Sequence, residues 1–324
     1  MQSTNNQPRW PRWPKAGDTQ GSPPPLSRST ASYSTPRVLR PIELLDLLEL
    51  SGTTTAVAEA LGLSQPTVSR RTSQLVRDLG LRASANPPKP VLRFGESSCL
   101  QHLRRACQAH RLEAGAWRLG SSPWQQSLLQ PLQPWISVPG RFRHPEAWRS
   151  LVESHALDGA VMSGLDLQLA LPEQPISGEH PVAWGNCVLV PISRSPLGLL
   201  APPSAAESPE RWSQVAVPAQ PLAPGLASLV RQQQWQCLHA AGSIHEPSAW
   251  GAWLRQNDKP AVASPAWAER LHPHLPEWLW QPWPQAASEQ LWLLLLRSVW
   301  DAHPVLHTLL THLRSATACD ADAE

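Results

Sequence analysis

The sequence predicts an α+β chain: a small domain near the N-terminus that opens with three helices, one further helix, and then a larger α/β domain. Three observations predict it. Between residues 41 and 80, apolar residues recur at helical spacing and each run stops at a glycine: Gly52, Gly62 and Gly80. From Ala116 onward, short apolar runs alternate with helical stretches, which is the texture of an α/β domain. A length of 324 residues favours two or three units over one.

Composition narrows the class. Hydrophobic residues make up 41% of the chain, enough for sizeable cores, yet the longest apolar run, Leu291 to Leu296, stops at Arg297. That is far short of the roughly 18 residues a membrane helix needs. The N-terminus lacks the apolar block of a secretory signal, so the expected location is the cytoplasm. Five scattered cysteines have neither disulfide-framework nor zinc spacing, which predicts reduced thiols. The net charge of +2 is small, but basic residues cluster. Arg70, Arg71, Arg77, Arg82, Lys89 and Arg93 face only Asp78 across one stretch, the electrostatic footprint of a nucleic-acid contact or of a solvated helix face. Seventeen Trp stand beside two Phe and one Tyr, and most are expected in cores.

Residues 1–37 are rich in Pro, Ser and basic side chains and show no apolar period, so they are expected to be a disordered tail. A first helix starts near Pro41, with Ile42, Leu44, Leu45, Leu47, Leu48 and Leu50 as its apolar residues, and ends at Gly52. Thr54 or Thr55 caps a second, carrying Val57, Ala58 and Leu61. Ser64 caps a third, from Gln65 to Leu79, where Pro66 is tolerated in the first turn. Val68, Thr72, Leu75 and Leu79 give that helix one inward face. Two short helices joined by Gly62, Leu63 and Ser64 fit a helix-turn-helix. The outward side presents Gln65, Thr67, Ser69, Arg70 and Arg71, short hydrogen-bonding groups followed by arginines, as a major groove requires. A plain helical hairpin with a polar face is the alternative.

The run from Gly52 to Leu81, GTTTAVAEALGLSQPTVSRRTSQLVRDLGL, resembles the DNA-binding signature of LysR-type transcriptional regulators. Ser64 to Ser69 matches the Ser-Gln-Pro-x-hydrophobic-Ser opening of the family's recognition helix, and Leu75, Leu79 and Gly80 match its ending. The resemblance implies a winged helix-turn-helix over residues 38–95, with DNA contacts from Ser64, Gln65, Pro66, Thr67, Ser69, Arg70 and Arg71. It implies wing contacts from Arg82, Lys89 and Arg93. Thr72 stands where the family has a large aliphatic, Arg82 where it has a wing phenylalanine, and Phe94-Gly95 where it has Ala-Gly. A linker helix over 96–115, with Leu100, Leu103, Cys107 and Leu112 as its apolar residues, would form the interface of a homodimer or homotetramer.

Residues 116–317 then resemble the family's effector domain, a periplasmic-binding-protein-like (type 2) α/β fold of two subdomains, with 318–324 a disordered tail. The expected elements are a strand at Trp117–Gly120 and a helix from Trp124 to about Gln130. A helix at Pro145–Ala156 and a strand at Leu157–Met162 follow. Cys187–Ile192 is a buried strand leading to the crossover, Val215–Val217 a strand, Ala223–Gln234 a helix, and His303–Arg314 a closing helix. Ser121, Ser122, Trp124 and Ser163 are the expected effector contacts. The two serines sit at a helix N-terminus, where an anion or plain capping would satisfy the free N–H groups. The family's Gly-rich stretch near the second crossover is replaced by the glycine-free Arg255 to Ser264, and prolines at 202–203 and 273–284 interrupt the pattern.

No nucleophile elbow, phosphate loop, dinucleotide fingerprint or zinc motif occurs, so no enzyme activity, cofactor or metal is expected. His303 with His307, and His272 with His274, lack a third ligand. Cys99 and Cys107 lie about 12 Å apart along one helix, too far for a disulfide; Cys187 and Cys237 are the other pair the fold could bring together. The sequence therefore predicts a regulator that binds double-stranded promoter DNA and answers to a small-molecule effector of unknown identity. The alternative is a degenerate relative whose C-terminal domain only oligomerises or binds a protein partner.

Overall fold

The computed structural model describes residues 33–82, 92–94, 97–129, 132, 136, 138–174, 176, 180–206, 212–242, 244–283, 287–302, 306, 309–311 and 313–314. Three helices come first: α1 (Arg40–Ser51), α2 (Thr54–Leu61) and α3 (Gln65–Asp78). Gly52 and Gly62 take left-handed backbone at the ends of α1 and α2, with φ of 74° and 61°, a conformation that costs glycine nothing. Thr53, rather than Thr54 or Thr55, caps α2. It is the one extended residue after the left-handed Gly52, and its hydroxyl accepts the Ala56 N–H at 3.2 Å. Ser64 caps α3 as expected. Val57, Ala58 and Val68 close the crossing of α2 and α3, with Leu75, Val76 and Leu79 packed alongside.

α4 (Ser98–Glu113) matches the expected linker helix, but its inward face is only half apolar. Leu100, Cys107 and Leu112 are buried as expected, and so are Arg104, Gln108 and Arg111. Asp46 of α1, fully buried, accepts from Arg104 Nε at 2.6 Å and from Arg118 Nη1 at 2.8 Å. Asp158 accepts from Arg111 Nη2 at 2.6 Å and Nε at 3.0 Å, and from the backbone N–H of Arg118 at 2.7 Å. Arg118 therefore ties α1 to the lead-in of the α/β domain. The apolar residues of α4 face this protomer. Its exposed side is Cys99, Gln101, His102, Arg105, Ala106 and Ala109.

The rest of the chain folds as two subdomains. The first holds β1 (Leu119–Gly120), a 3-10 helix (Pro123–Leu129), α5 (Pro145–Glu153), β2 (Gly159–Ser163), α6 (Gly164–Ala170), β3 (Val182–Trp184) and β4 (Cys187–Pro196). The chain then enters a second sheet through β5 (Gly198–Ala201), α7 (Pro203–Ala206), β6 (Gln214–Val217), α8 (Pro224–Gln232), β7 (Gln236–His239), α9 (Pro247–Asn257), β8 (Ala261–Ala263), α10 (Pro265–Leu271) and β9 (Leu279–Pro282). It returns to the first as β10 (Ser288–Leu296) and α11 (Arg297–Ala302). Strand order is β1-β2-β10-β4-β3 in one sheet and β7-β6-β8-β5-β9 in the other. Two crossings between two mixed sheets is the architecture expected of a periplasmic-binding-protein-like domain. The connection is a ribbon: β4 and β10 pair antiparallel along their whole length, from Leu296 opposite Cys187 to Ser288 opposite Pro196. Their register shifts between Leu291 and Trp292, beside Pro191, which has no N–H to give the ladder. Trp250, Trp267 and Trp292 are among the largest fully buried side chains, so these tryptophans are core residues.

Several expectations need correction. Residues 33–37 do not belong to a disordered tail, because Thr35 is buried and the Tyr33 hydroxyl lies 3.1 Å from His110 Nδ1 on α4. The glycine-free stretch Arg255–Ser264 is not itself a crossing; it forms the end of α9 and β8 inside the second sheet, where Ala263 pairs with Gly198 at the start of β5. The return runs through Trp283 and Ala287, whose backbones bond Leu197. The helix at 123–129 is a 3-10 turn, and Pro203 opens α7 instead of breaking the pattern. Of the closing helix, Leu306, Leu309, Leu310 and Leu313 are buried. The wing turn around Asn86–Pro90, residues 1–32 and the tail 318–324 lie outside the described residues, as do His303 and His307.

Removing Asp46 leaves Arg104 and Arg118 buried without their main partner, which typically costs about 3–5 kcal/mol. The Asp46→Ala variant is expected to lose stability on that scale, read as the urea midpoint. Glu43→Ala removes only a partly exposed pair at 3.7 Å and should cost less than about 1 kcal/mol. Equal losses would show that the buried network does not hold α1 in place.

Candidate nucleic-acid interface and interdomain cleft

Two sites stand apart in the molecule. The first is the outward side of α3. Ser64, Gln65, Pro66, Ser69, Arg70, Arg71 and Arg82 are exposed, and Thr67 is half-buried. The Ser64 hydroxyl lies 2.8 Å from that of Thr67, and Gln65 Nε2 donates to Thr54 Oγ1 at 3.0 Å, so the first residues of α2 and α3 meet at one edge. Thr72 returns its hydroxyl to the Val68 carbonyl at 2.9 Å, satisfying itself where an aliphatic was expected. Among the described residues, Arg70, Arg71, Arg77 and Arg82 make no ion pair. Here is a helix whose first two turns offer amide, hydroxyl and guanidinium groups to solvent.

Arg93 behaves differently. Its guanidinium donates to the Gly52 carbonyl at 3.0 Å and its N–H to Glu49 Oε2, while the Phe94 N–H donates to Glu49 Oε1. Glu49 thus anchors the turn at Arg93 and Phe94, and Phe94, buried at the core of the three-helix cluster, adds an apolar side chain to it. Arg93 faces inward. Lys89 lies outside the described residues.

The second site is a cleft between the two subdomains, lined among others by Ser122, Trp124, Phe142, Arg143, Ser163, Asp166 and Glu289. Three of the four expected contacts, Ser122, Trp124 and Ser163, line it. Ser121 does not; its side chain is buried behind the strand end. The Ser122 hydroxyl accepts the Trp124 N–H at 3.2 Å and bonds Gln125, so it caps the 3-10 turn. The volume open to the centres of water molecules is about 30 Å³, room for two or three waters.

Two carboxyls that sequence reasoning missed dominate the cleft. Asp166 Oδ1 accepts the Gly225 N–H at 2.7 Å, at the start of α8 in the opposite subdomain. Gly225 must be glycine there, because a Cβ would lie 2.4 Å from the Leu165 carbonyl carbon. Burial pushes the Asp166 carboxyl up to about 7, against the lowering effect of the Gly225 N–H and with the charge of Glu289 raising it further. Glu289, on β10, is also raised by burial, although the Ser163 hydroxyl and Gln125 amide lie against it. The signal for both was present in the sequence: each is an acid inside a mostly apolar element.

The cleft also touches the helical cluster. Arg143 lies over the Trp148 ring, 5.3 Å from its centroid, and donates to the carbonyls of Glu49 and Leu50; Arg141 donates to that of Ser51. These are the last carbonyls of α1, which have no partner within the helix. Burial, with the neighbouring charge of Arg141, pushes Arg143 down to about 10.

Cys187 lies in the first sheet and Cys237 in the second, so the fold does not pair them. Burial raises the Cys107 and Cys187 thiols to about 11 and about 12, which keeps both from being thiolates near neutrality. No cluster of three or more metal-ligating residues occurs among the described residues, and no helix there is long and apolar enough to cross a membrane.

No protein-family model matches the sequence, and no curated protein matches it. Solved structures that resemble it include a full-length OxyR variant from Pseudomonas aeruginosa, at 13% identity over 85% of this chain and 94% of that one, with a TM-score of 0.44. CbnR, a LysR family transcriptional regulator, gives 11%, 86%, 99% and 0.44. ArgP from Mycobacterium tuberculosis gives 14%, 86%, 96% and 0.41.

The raised carboxyls make stability depend on pH. The folded chain keeps a proton on Asp166 that the unfolded chain, near the ordinary value of 3.8, releases. Stability therefore falls as pH rises from about 4 towards about 7, and Glu289 adds a change of the same sign. Asp166→Asn, neutral throughout, should flatten that decline in urea midpoints measured at about pH 5 and about pH 7. An unchanged slope would mean that Asp166 ionises normally in the fold.

Proposed function

We propose that the chain is a DNA-binding transcriptional regulator of the LysR type, a cytoplasmic protein rather than an enzyme, acting on double-stranded promoter DNA as a homodimer or homotetramer. The observation that carries this reading is the exposed first half of α3. It follows a tight Gly62–Ser64 turn, rests on buried Val68, and presents Gln65, Ser69, Arg70 and Arg71 with no ion-pair partner among the described residues. A helix that only packs against its neighbours has no need of that set. In a major groove, Gln65 and Thr67 reach base edges while Ser69, Arg70 and Arg71 meet phosphates or guanine. Arg82 follows at the start of the wing, and Lys89 belongs to the same basic run.

The domain limits fitting this role are 38–95 for the winged helix-turn-helix, 96–115 for the linker helix and 116–317 for the effector domain. A small-molecule effector in the interdomain cleft would meet Ser122, Trp124 and Ser163. It would act by favouring one arrangement of the two subdomains, which is a differential-affinity effect.

DNA binding is tested by anisotropy with the chain's own upstream region. Gln65→Ala and Arg70→Ala should each weaken binding by roughly 1–3 kcal/mol, and Arg70→Ala should also lower the salt slope if its contact is a phosphate. Arg231→Ala, exposed on α8, serves as the control and should leave affinity unchanged. Affinity untouched by all three changes would sink the recognition-helix assignment.

A further inference from the structure

The cleft holds buried polar groups that the protein does not satisfy with its own residues. Glu289 is 2% exposed; Gln125 meets its Oε1 and the Ser163 hydroxyl lies against the carboxyl, while Oε2 has no hydrogen bond of ordinary geometry. Asp166 faces the same space and is clasped by one backbone N–H. Among the described residues no arginine or lysine pairs with either carboxyl. Arg143 lines the cleft; its Nη2 donates to the α1 carbonyls and its guanidinium lies over the Trp148 face, while its Nε has no hydrogen-bond partner. A second buried polar group also lacks a partner: Trp124 Nε1, on a side chain 2% exposed that lines the cleft edge-on to Phe142. An acceptor lacking a donor and a donor lacking an acceptor thus lie among aromatic rings, in a space a few waters wide.

We propose that the cleft binds a compact organic cation, a primary ammonium compound that also carries a hydrogen-bond acceptor. The ammonium donates to Glu289 Oε2 and to Asp166, and the Trp124 and Phe142 rings supply the apolar and π surface that favours an alkylammonium over a hydrated metal ion. The acceptor of the ligand takes the Trp124 N–H. An anion is disfavoured by the same two carboxyls, whatever the serines at the 3-10 N-terminus offer. This rests on the reading of the cleft as an effector site and names the class of effector. It is independent of the DNA contacts.

The test uses the full chain without DNA. Ethanolamine, glycinamide, acetate, sodium chloride and magnesium chloride are compared at matched ionic strength by thermal shift and titration calorimetry. Ethanolamine and glycinamide should raise the melting temperature by mass action, with acetate and both salts inert. Glu289→Gln keeps the shape, removes the charge and should weaken amine binding at least tenfold. Trp124→Phe keeps an aromatic ring, removes the N–H and should weaken glycinamide more than methylammonium, which is added to the series because it has no acceptor. If Glu289→Gln does not fold, Asp166→Asn takes its place with the same expectation. Stabilisation by acetate, equal stabilisation by magnesium, or no stabilisation by any amine overturns the proposal. Gel shifts on the same preparation report separately on the regulator reading, so either can fail alone.

Discussion

Two buried aspartates hold the parts of this chain together, and each does so by facing arginines that belong to other elements. Asp46 sits in α1, yet its oxygens are taken by Arg104 of α4 and by Arg118 at the entry to β1. Asp158, just before β2, takes Arg111 of α4 and the backbone of Arg118. A buried carboxylate without such partners would cost several kcal/mol, and so would each guanidinium. No member can move far without exposing an uncompensated charge, so α1, α4 and the first subdomain are bound into one packing problem. An all-leucine seam would have permitted many nearly equal docking angles. The bidentate geometry of Arg111 on Asp158 admits few.

That constraint explains the composition of α1. Its residues are buried from Ile42 to Ser51 with one break, acids included, because one side packs on α2 and α3 and the other receives α4 and the loop before α5. A helix surrounded in this way cannot have the polar stripe of a surface helix. Its C-terminal carbonyls, which a surface helix would leave to water, are met by Arg141 and Arg143.

Much of this was legible in the sequence, and the failures share a cause. Helix starts and stops followed from Ser64, Gly52 and Gly62, because caps and left-handed ends are local chemistry. The strand at 187–192 and the helix at 145–153 followed from periodicity. The buried ion pairs did not, because the arginines in the stripe Leu100, Arg104, Cys107, Arg111 find their carboxylates on other elements, Arg104 at Asp46 of α1 and Arg111 at Asp158 before β2. Long-range pairing of that kind leaves no trace in one helix taken alone. The cleft was half legible: Ser122, Trp124 and Ser163 lie where strand ends were expected, but its electrostatic character depends on Glu289, brought from the far end of the chain by β10. Ser121, which is buried, and Arg93, which bonds the Gly52 carbonyl, show that alternation and motif place a residue on an element, not its side chain on a face.

The loop from Gly140 to Arg143 connects the two sites. Phe142 lines the cleft, packs edge-on to Trp124, and donates its N–H to His245 of the second subdomain at 3.3 Å. Its neighbours Arg141 and Arg143 hold the end of α1, which is fixed by Asp46 to α4 and packs with Val57 and Val68 of α2 and α3 in one core. Close-packed interiors do not deform smoothly. A change in subdomain closure that moves Phe142 must therefore either carry Arg141 and Arg143 with it, breaking their bonds to Glu49, Leu50 and Ser51, or be resisted by those bonds. Both outcomes couple the cleft to the helices through contacts within a single protomer, and the coupling is as strong in one direction as in the other. In this geometry the arginines at the end of α1 are a direct polar connection between the cleft loop and the helical cluster.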